Sequence, residues 1–163
     1  MNVSLKKSMY AAAALTVVLA GSYAWAGKAA VRQLIQRPSA EMKWEEFYPG
    51  GPVESFVVGA KDAKTGPTEF FIKFKAGFDS GWHVHESDYT GVVLSGTIIE
   101  TSPGSEAAKP LTTGSYYMQP TVVHRTQCSP EADCYVYISE KGRFSFTPTD
   151  EAGKPLPPQA PAK

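Results

Sequence analysis

Between Val53 and Thr147 short apolar-rich runs alternate with turn-forming clusters. The runs Val53–Val58, Thr68–Phe74, Trp82–His85, Thr90–Glu100, Ser115–Met118, Thr121–Thr126, Cys134–Ile138 and Phe144–Thr147 are rich in Val, Ile, Thr, Tyr and Phe. Those side chains favour pleated backbone, so each run is expected to be a strand. The intervening clusters at 62–67, 76–81, 102–105, 113–114 and 140–142 each contain Gly, mostly beside Pro, Asp, Ser or Lys. Such clusters turn the chain. Many short strands at regular spacing predict an all-β sandwich or small barrel. No stretch shows the helical period over a long amphipathic segment.

Alternation also places the three histidines. In Trp82-His83-Val84-His85, both imidazoles share one face of the strand, opposite Trp82 and Val84. In Val122-Val123-His124-Arg125-Thr126, His124 shares its face with Val122 and Thr126 and points away from Arg125. Burial of the Val122 face is therefore expected to draw His124 inward. Two imidazoles from one strand and a third from another can form one face of a metal's coordination sphere. Neutral imidazole suits Zn, Cu, Fe and Ni.

The ends of the chain differ from its middle. Residues 1–26 read as an export signal, with Lys6-Lys7, an apolar stretch from Met9 to Ala20 and a small-x-small site at Ala24-Trp25-Ala26. Cleavage would make Gly27 the first mature residue. The apolar stretch is short for a membrane span, so no stable membrane span is expected after cleavage. There is no twin-arginine pair, which points to the general export route. Residues 27–46 read as a lead-in segment, 47–147 as the β-rich domain, and 148–163 as a flexible Pro-rich tail with little to bury. Removing residues 1–26 takes away two lysines and no acid, leaving 14 basic against 16 acidic residues. Without a basic excess or patch, a nucleic-acid partner is not expected. Cys128 and Cys134 bracket a turn-like stretch. In the periplasm or outside the cell they are expected to form a disulfide; a redox or soft-metal pair is the competing reading, and the spacing is not CxxC.

With the strands and histidines in place, the chain resembles the cupin superfamily. The first motif of that family runs Gly, five residues, HxH, three or four residues, Glu, six residues, Gly. Here Gly77 is followed by five residues and His83-Val84-His85, then three residues to Tyr89 and six to Gly96. Tyr89 thus stands at the Glu position. The second motif runs Gly, five residues, PxGxxH and a later Asn. Here Gly114 is followed by five residues and Pro120, Val122 replaces the middle Gly, His124 comes one residue early, and no Asn follows. The stretch from Asp88 to Gly96, with Gly114-Ser-Tyr-Tyr and the later cysteines, looks most like a group of small exported cupins.

The resemblance implies an all-β double-stranded β-helix, the jelly-roll cupin barrel, with a divalent metal held by His83, His85 and His124. Tyr89 would then ligate as phenolate, donate a hydrogen bond to a metal-bound water, or pack. Glu86 and Asp88 are expected to face solvent. Loss of the carboxylate ligand tilts the site from Mn toward Zn, Cu, Ni or Fe(II). Two functions fit this picture. One is a metal-dependent enzyme, dioxygenase-like or hydrolytic, acting on a small molecule. The other is a non-catalytic module that binds or senses a small ligand. A homodimer formed through the barrel's sheet surface is a third expectation.

Overall fold

The computed structural model describes residues 34–105 and 108–157. The expected export signal and residues 27–33 of the expected lead-in lie outside those residues. The architecture below belongs to the compact unit that begins at Arg37. A 3-10 turn at Ser39–Glu41 precedes the strands. These are β1 (Glu45–Glu46), β2 (Val53–Val58), β3 (Thr68–Phe74), β4 (His83–Val84), β5 (Tyr89–Ser95), β6 (Thr97–Thr101), β7 (Leu111–Thr112), β8 (Tyr116–Gln119), β9 (Arg125–Cys128), β10 (Cys134–Glu140) and β11 (Thr147–Pro148). All pairings are antiparallel.

One wall is a sheet in the order β1-β2-β3-β10-β5-β8, and opposite segments form β7-β6-β9 and β11-β4. Backbone bridges between Asp79 and Gln127 and between His83 and His124 join the shorter pieces. The period of 2 sorts the side chains. On β3, Thr68, Phe70, Ile72 and Phe74 are buried, and on β10 Cys134, Val136, Ile138 and Glu140 are buried. The core unites these with Val93, Ile98, Cys128 and Phe144. Phe144 meets Phe47, Phe56 and Phe70 edge-on at ring separations of 5.3, 5.6 and 5.3 Å, the geometry that ring quadrupoles favour.

Cys128 and Cys134 form a disulfide that ties the end of β9 to the start of β10. Closing so short a loop contributes about 2.4 kcal/mol on the chain-entropy account.

Several boundaries depart from the sequence expectations. The run Thr90–Glu100 is two strands, because Gly96 turns the chain with φ of 78°. A Cβ at that position would lie 2.7 Å from the Asp133 carbonyl oxygen, so only glycine fits. The lead-in ends earlier than expected: β1 pairs with β2, bringing Glu45 and Glu46 into the large sheet. Part of the expected flexible tail is paired into the fold. Thr147 and Pro148 pair with Val84 and His83, Thr149 N–H donates to the Trp82 carbonyl at 2.9 Å, and Leu156 N–H donates to the Pro148 carbonyl at 2.9 Å. Backbone pairing, which composition does not reveal, holds this proline-rich segment. Trp82, on the opposite face from the imidazoles, is half-buried, with the Arg125 guanidinium 6.0 Å from its ring centroid.

Candidate metal centre

His83 and His124 lie directly opposite each other on two antiparallel segments. Each N–H donates to the other's carbonyl at 2.9 Å. A residue pair that exchanges both backbone bonds projects its side chains to the same face. The two rings accordingly approach to 4.1 Å between centroids. His85, two residues on, returns to that face, 5.1 Å from the His83 ring and 5.3 Å from the His124 ring. Donor atoms of the three histidines all lie within 4.8 Å of one another, and among the described residues they form the one such cluster of His, Cys, Asp or Glu.

His124 is inward for a different reason from the one expected. Val122 is exposed. A tight turn, with Val122 N–H donating to the Pro120 carbonyl at 2.7 Å, breaks the alternation before Val123. The His83 pairing then sets the orientation of His124.

Ring polarity is fixed at two of the three positions. His124 Nδ1 lies 3.0 Å from the Val122 carbonyl, which can only accept. Nδ1 therefore carries the proton, and Nε2 is left as the donor atom for a ligand. In the same way His83 Nδ1 lies 3.1 Å from the Gly81 carbonyl, with Ser80 Oγ at 3.2 Å. Carbonyl-anchored imidazoles are the usual support of metal-binding histidines. His85 Nδ1 is buried without a hydrogen-bond partner, and Glu140 Oε1 stands 3.6 Å away. Burial, reinforced by the neighbouring imidazoles, pulls His83 down to about 2. Burial pulls His124 down to about 4, against the opposing pull of the Val122 carbonyl. Neutral rings are the form that ligates metal.

Tyr89 is fully enclosed, and burial pushes its phenol well above the usual range. Its O–H lies 3.0 Å from His124 Nε2 and donates to it. Among the three roles expected for Tyr89, packing is joined by a direct bond to an imidazole. Glu86 and Asp88 face outward, paired with Arg143 and Lys141. Arg125 also points outward, to Asp79.

Two carboxyl groups that the sequence reading passed over reach the interior. Glu140 accepts hydrogen bonds from Thr68 Oγ1 at 3.4 Å and Ser87 Oγ at 3.3 Å. Glu54 is wholly buried, and neither carboxyl oxygen has a hydrogen-bond partner. Both line a cavity of about 70 Å³ together with His83, His85 and Tyr89, and with Phe47, Phe70, Phe74, Phe78, Phe144 and Phe146. The signal for both was present as alternation. Glu140 continues the inward series Val136, Ile138, and Glu54 shares the face of Phe56.

The family model for the domain of unknown function DUF4437 matches residues 57–155, more than half of the chain. This chain belongs to the DUF4437 family. No curated protein matches it. Solved structures with the same fold include a protein of unknown function with a cupin-like fold from Ralstonia eutropha JMP134, 17% identical, covering 76% of this chain and 75% of that one, with a TM-score of 0.59. An RmlC-like cupin from Shewanella frigidimarina NCIMB 400 is 18% identical over 67% of this chain and 91% of its own, with a TM-score of 0.54. The DMSP lyase DddQ from Ruegeria pomeroyi DSS-3 is 15% identical over 68% of this chain and 62% of its own, with a TM-score of 0.56. The DUF4437 chain thus has the cupin jelly-roll fold, and at such identities the likeness speaks to the fold alone.

The donor set fits a divalent metal. Three imidazoles converge, two are oriented by carbonyls, and the buried Nδ1 of His85 has no protein partner.

Proposed function

We propose that this DUF4437 protein is a metal-binding cupin whose barrel interior receives a small molecule, with His83, His85 and His124 holding one divalent ion. The observation that carries this reading is the single cluster of three inward imidazole donors, two of them anchored on backbone carbonyls. Nitrogen donors favour Zn, Cu, Ni or Fe(II) over Mn. Three protein ligands leave coordination positions for a bound molecule. When bound, such an ion supplies Lewis-acid or redox chemistry, depending on its identity. The chain's own contribution is to hold the rings of His83 and His124 neutral and oriented, and to surround the ligand with aromatic walls. Glu140 places a carboxyl beside His85, near the cluster that lacks the family's usual Glu.

Purified protein is expected to retain about one metal per chain by elemental analysis, and His83→Ala is expected to retain almost none. Equal metal content in both would sink the reading. Tyr89 provides a second check. Its O–H donates to the same His124 nitrogen that would bind metal, so the hydrogen bond and the metal compete. Losing that bond is worth about 1 kcal/mol, or roughly fivefold in affinity. Tyr89→Phe is therefore expected to bind metal several-fold more tightly in a chelator competition. A large loss of affinity would instead make Tyr89 a ligand.

A second reading, a module that binds a small ligand without turnover, is favoured by the aromatic walls of the cavity. The two readings share the site and differ in whether the bound molecule changes.

We also infer that the protein works outside the cytoplasm. The Cys128–Cys134 disulfide supports an oxidising compartment. N-terminal sequencing of protein exported by its native host is expected to begin at Gly27; an intact Met1 in cytoplasmic fractions would contradict this.

A further inference from the structure

No side-chain hydrogen bond ties Glu54 into the barrel. It sits on β2 opposite Ile72 of β3, in a position that an apolar side chain would fill. Instead a carboxyl is fully buried with neither oxygen hydrogen-bonded by protein. Leaving a buried polar group without a partner costs on the order of 1–3 kcal/mol, and more when it is charged. The cation whose charge most affects Glu54 is Lys61, but its ammonium is bonded to the carbonyls of Glu46 and Phe47 at 3.0 and 2.6 Å. Glu54 also stands outside the histidine cluster, whose donors within 4.8 Å of one another are those of His83, His85 and His124. It does line the same cavity as His83 and His85. That cavity, about 70 Å³ and partly open to solvent, has several times the space one water needs and takes the polar end of a ligand whose remainder extends into its mouth.

We propose that Glu54 is the specificity-determining group of the chamber: its carboxyl hydrogen-bonds the hydroxyl or amine of a small, mostly aromatic or aliphatic ligand whose body packs on Phe70 and Phe144. This deepens the proposed function, because it rests on the barrel interior being the working site. The chemistry follows from the walls. Phenylalanine rings reward an apolar body, and a single buried carboxyl rewards one polar group and penalises ligands that cannot pair with it.

Phenol and toluene are suitable probes, since they have equal numbers of heavy atoms and differ in one hydroxyl. Their affinities for the metal-loaded full chain can be compared by NMR titration, alongside Glu54→Leu and Glu54→Gln. The ratio of phenol to toluene affinity is expected to fall at least tenfold in Glu54→Leu. In Glu54→Gln, which keeps an acceptor, it is expected to stay within a few-fold of wild type. Both variants are expected to keep one metal per chain. An unchanged ratio in both variants would mean that Glu54 does not recognise the ligand, and would overturn the proposal while leaving the metal reading intact. Failure of phenol to bind wild type would overturn it in the same way. Loss of metal from Glu54→Gln would also overturn it, by making Glu54 a metal ligand. Loss of metal from wild type itself would instead count against the metal reading.

Discussion

Phe70→Ala is expected to destabilise the protein by roughly 3–5 kcal/mol, the range for truncating a buried phenylalanine. Phe70 is 3% exposed. It packs against a tilted Phe56 ring at 5.0 Å and meets Phe144 edge-on at 5.3 Å. It thus joins β2 and β3 to the segment after β10. The barrel cannot collapse around the loss, because the ring borders a cavity that is already present. Enlarging that cavity adds to the lost transfer energy. A domain of this size has a total stability of about 5–15 kcal/mol, so the change consumes a large fraction of it. Chemical denaturation should show the lower midpoint. Metal content at low temperature should stay near wild type, because the backbone pairing of His83 with His124 lies on other strands. A cost below 1 kcal/mol would show that the aromatic cluster does not hold the barrel.

The strands were legible in the sequence because most have one buried face. β2, β3 and β10 read directly from Val, Ile and Phe at their expected bounds or within two residues of them. The two-residue strands β1 and β7 were not legible, since pairing rather than composition makes them strands. Convergence of His83 and His85 followed from alternation. Convergence of His124 did not, because the turn at Pro120–Val122 resets the register and long-range pairing with His83 restores it. The most consequential omission was the pair of carboxyls that line the cavity, Glu54 and Glu140. A Glu within an apolar run reads as solvent-facing by default, since charged residues are seldom fully buried. Glu54 and Glu140 break that expectation on strands whose neighbours two residues away point inward. Such a break is where a functional role should be sought.

Glu54→Gln is expected to stabilise the metal-free protein at pH 8 and to change it little at pH 4. Burial, with smaller contributions from Glu45 and Glu140 and an opposing one from Lys61, pushes the Glu54 carboxyl up from 4.5 to about 7. The folded state therefore holds this proton more tightly than the unfolded chain does. Its contribution to stability is fully present below the unfolded value of 4.5 and is lost as pH rises to about 7. Over that interval wild type should lose on the order of 3 kcal/mol through this group. Glutamine has the same shape and does not titrate, so the variant escapes the loss. Glu100, which burial pushes up to about 8, has the same sign but is present in both proteins, as are the histidines, so their contributions cancel in the difference. Urea denaturation of wild type and Glu54→Gln between pH 4 and pH 8 measures that difference directly. A flat difference would show that the carboxyl is solvated in the folded protein. A rising one would show that the barrel keeps a carboxyl at a standing cost, which binding of a matching hydroxyl or amine would relieve.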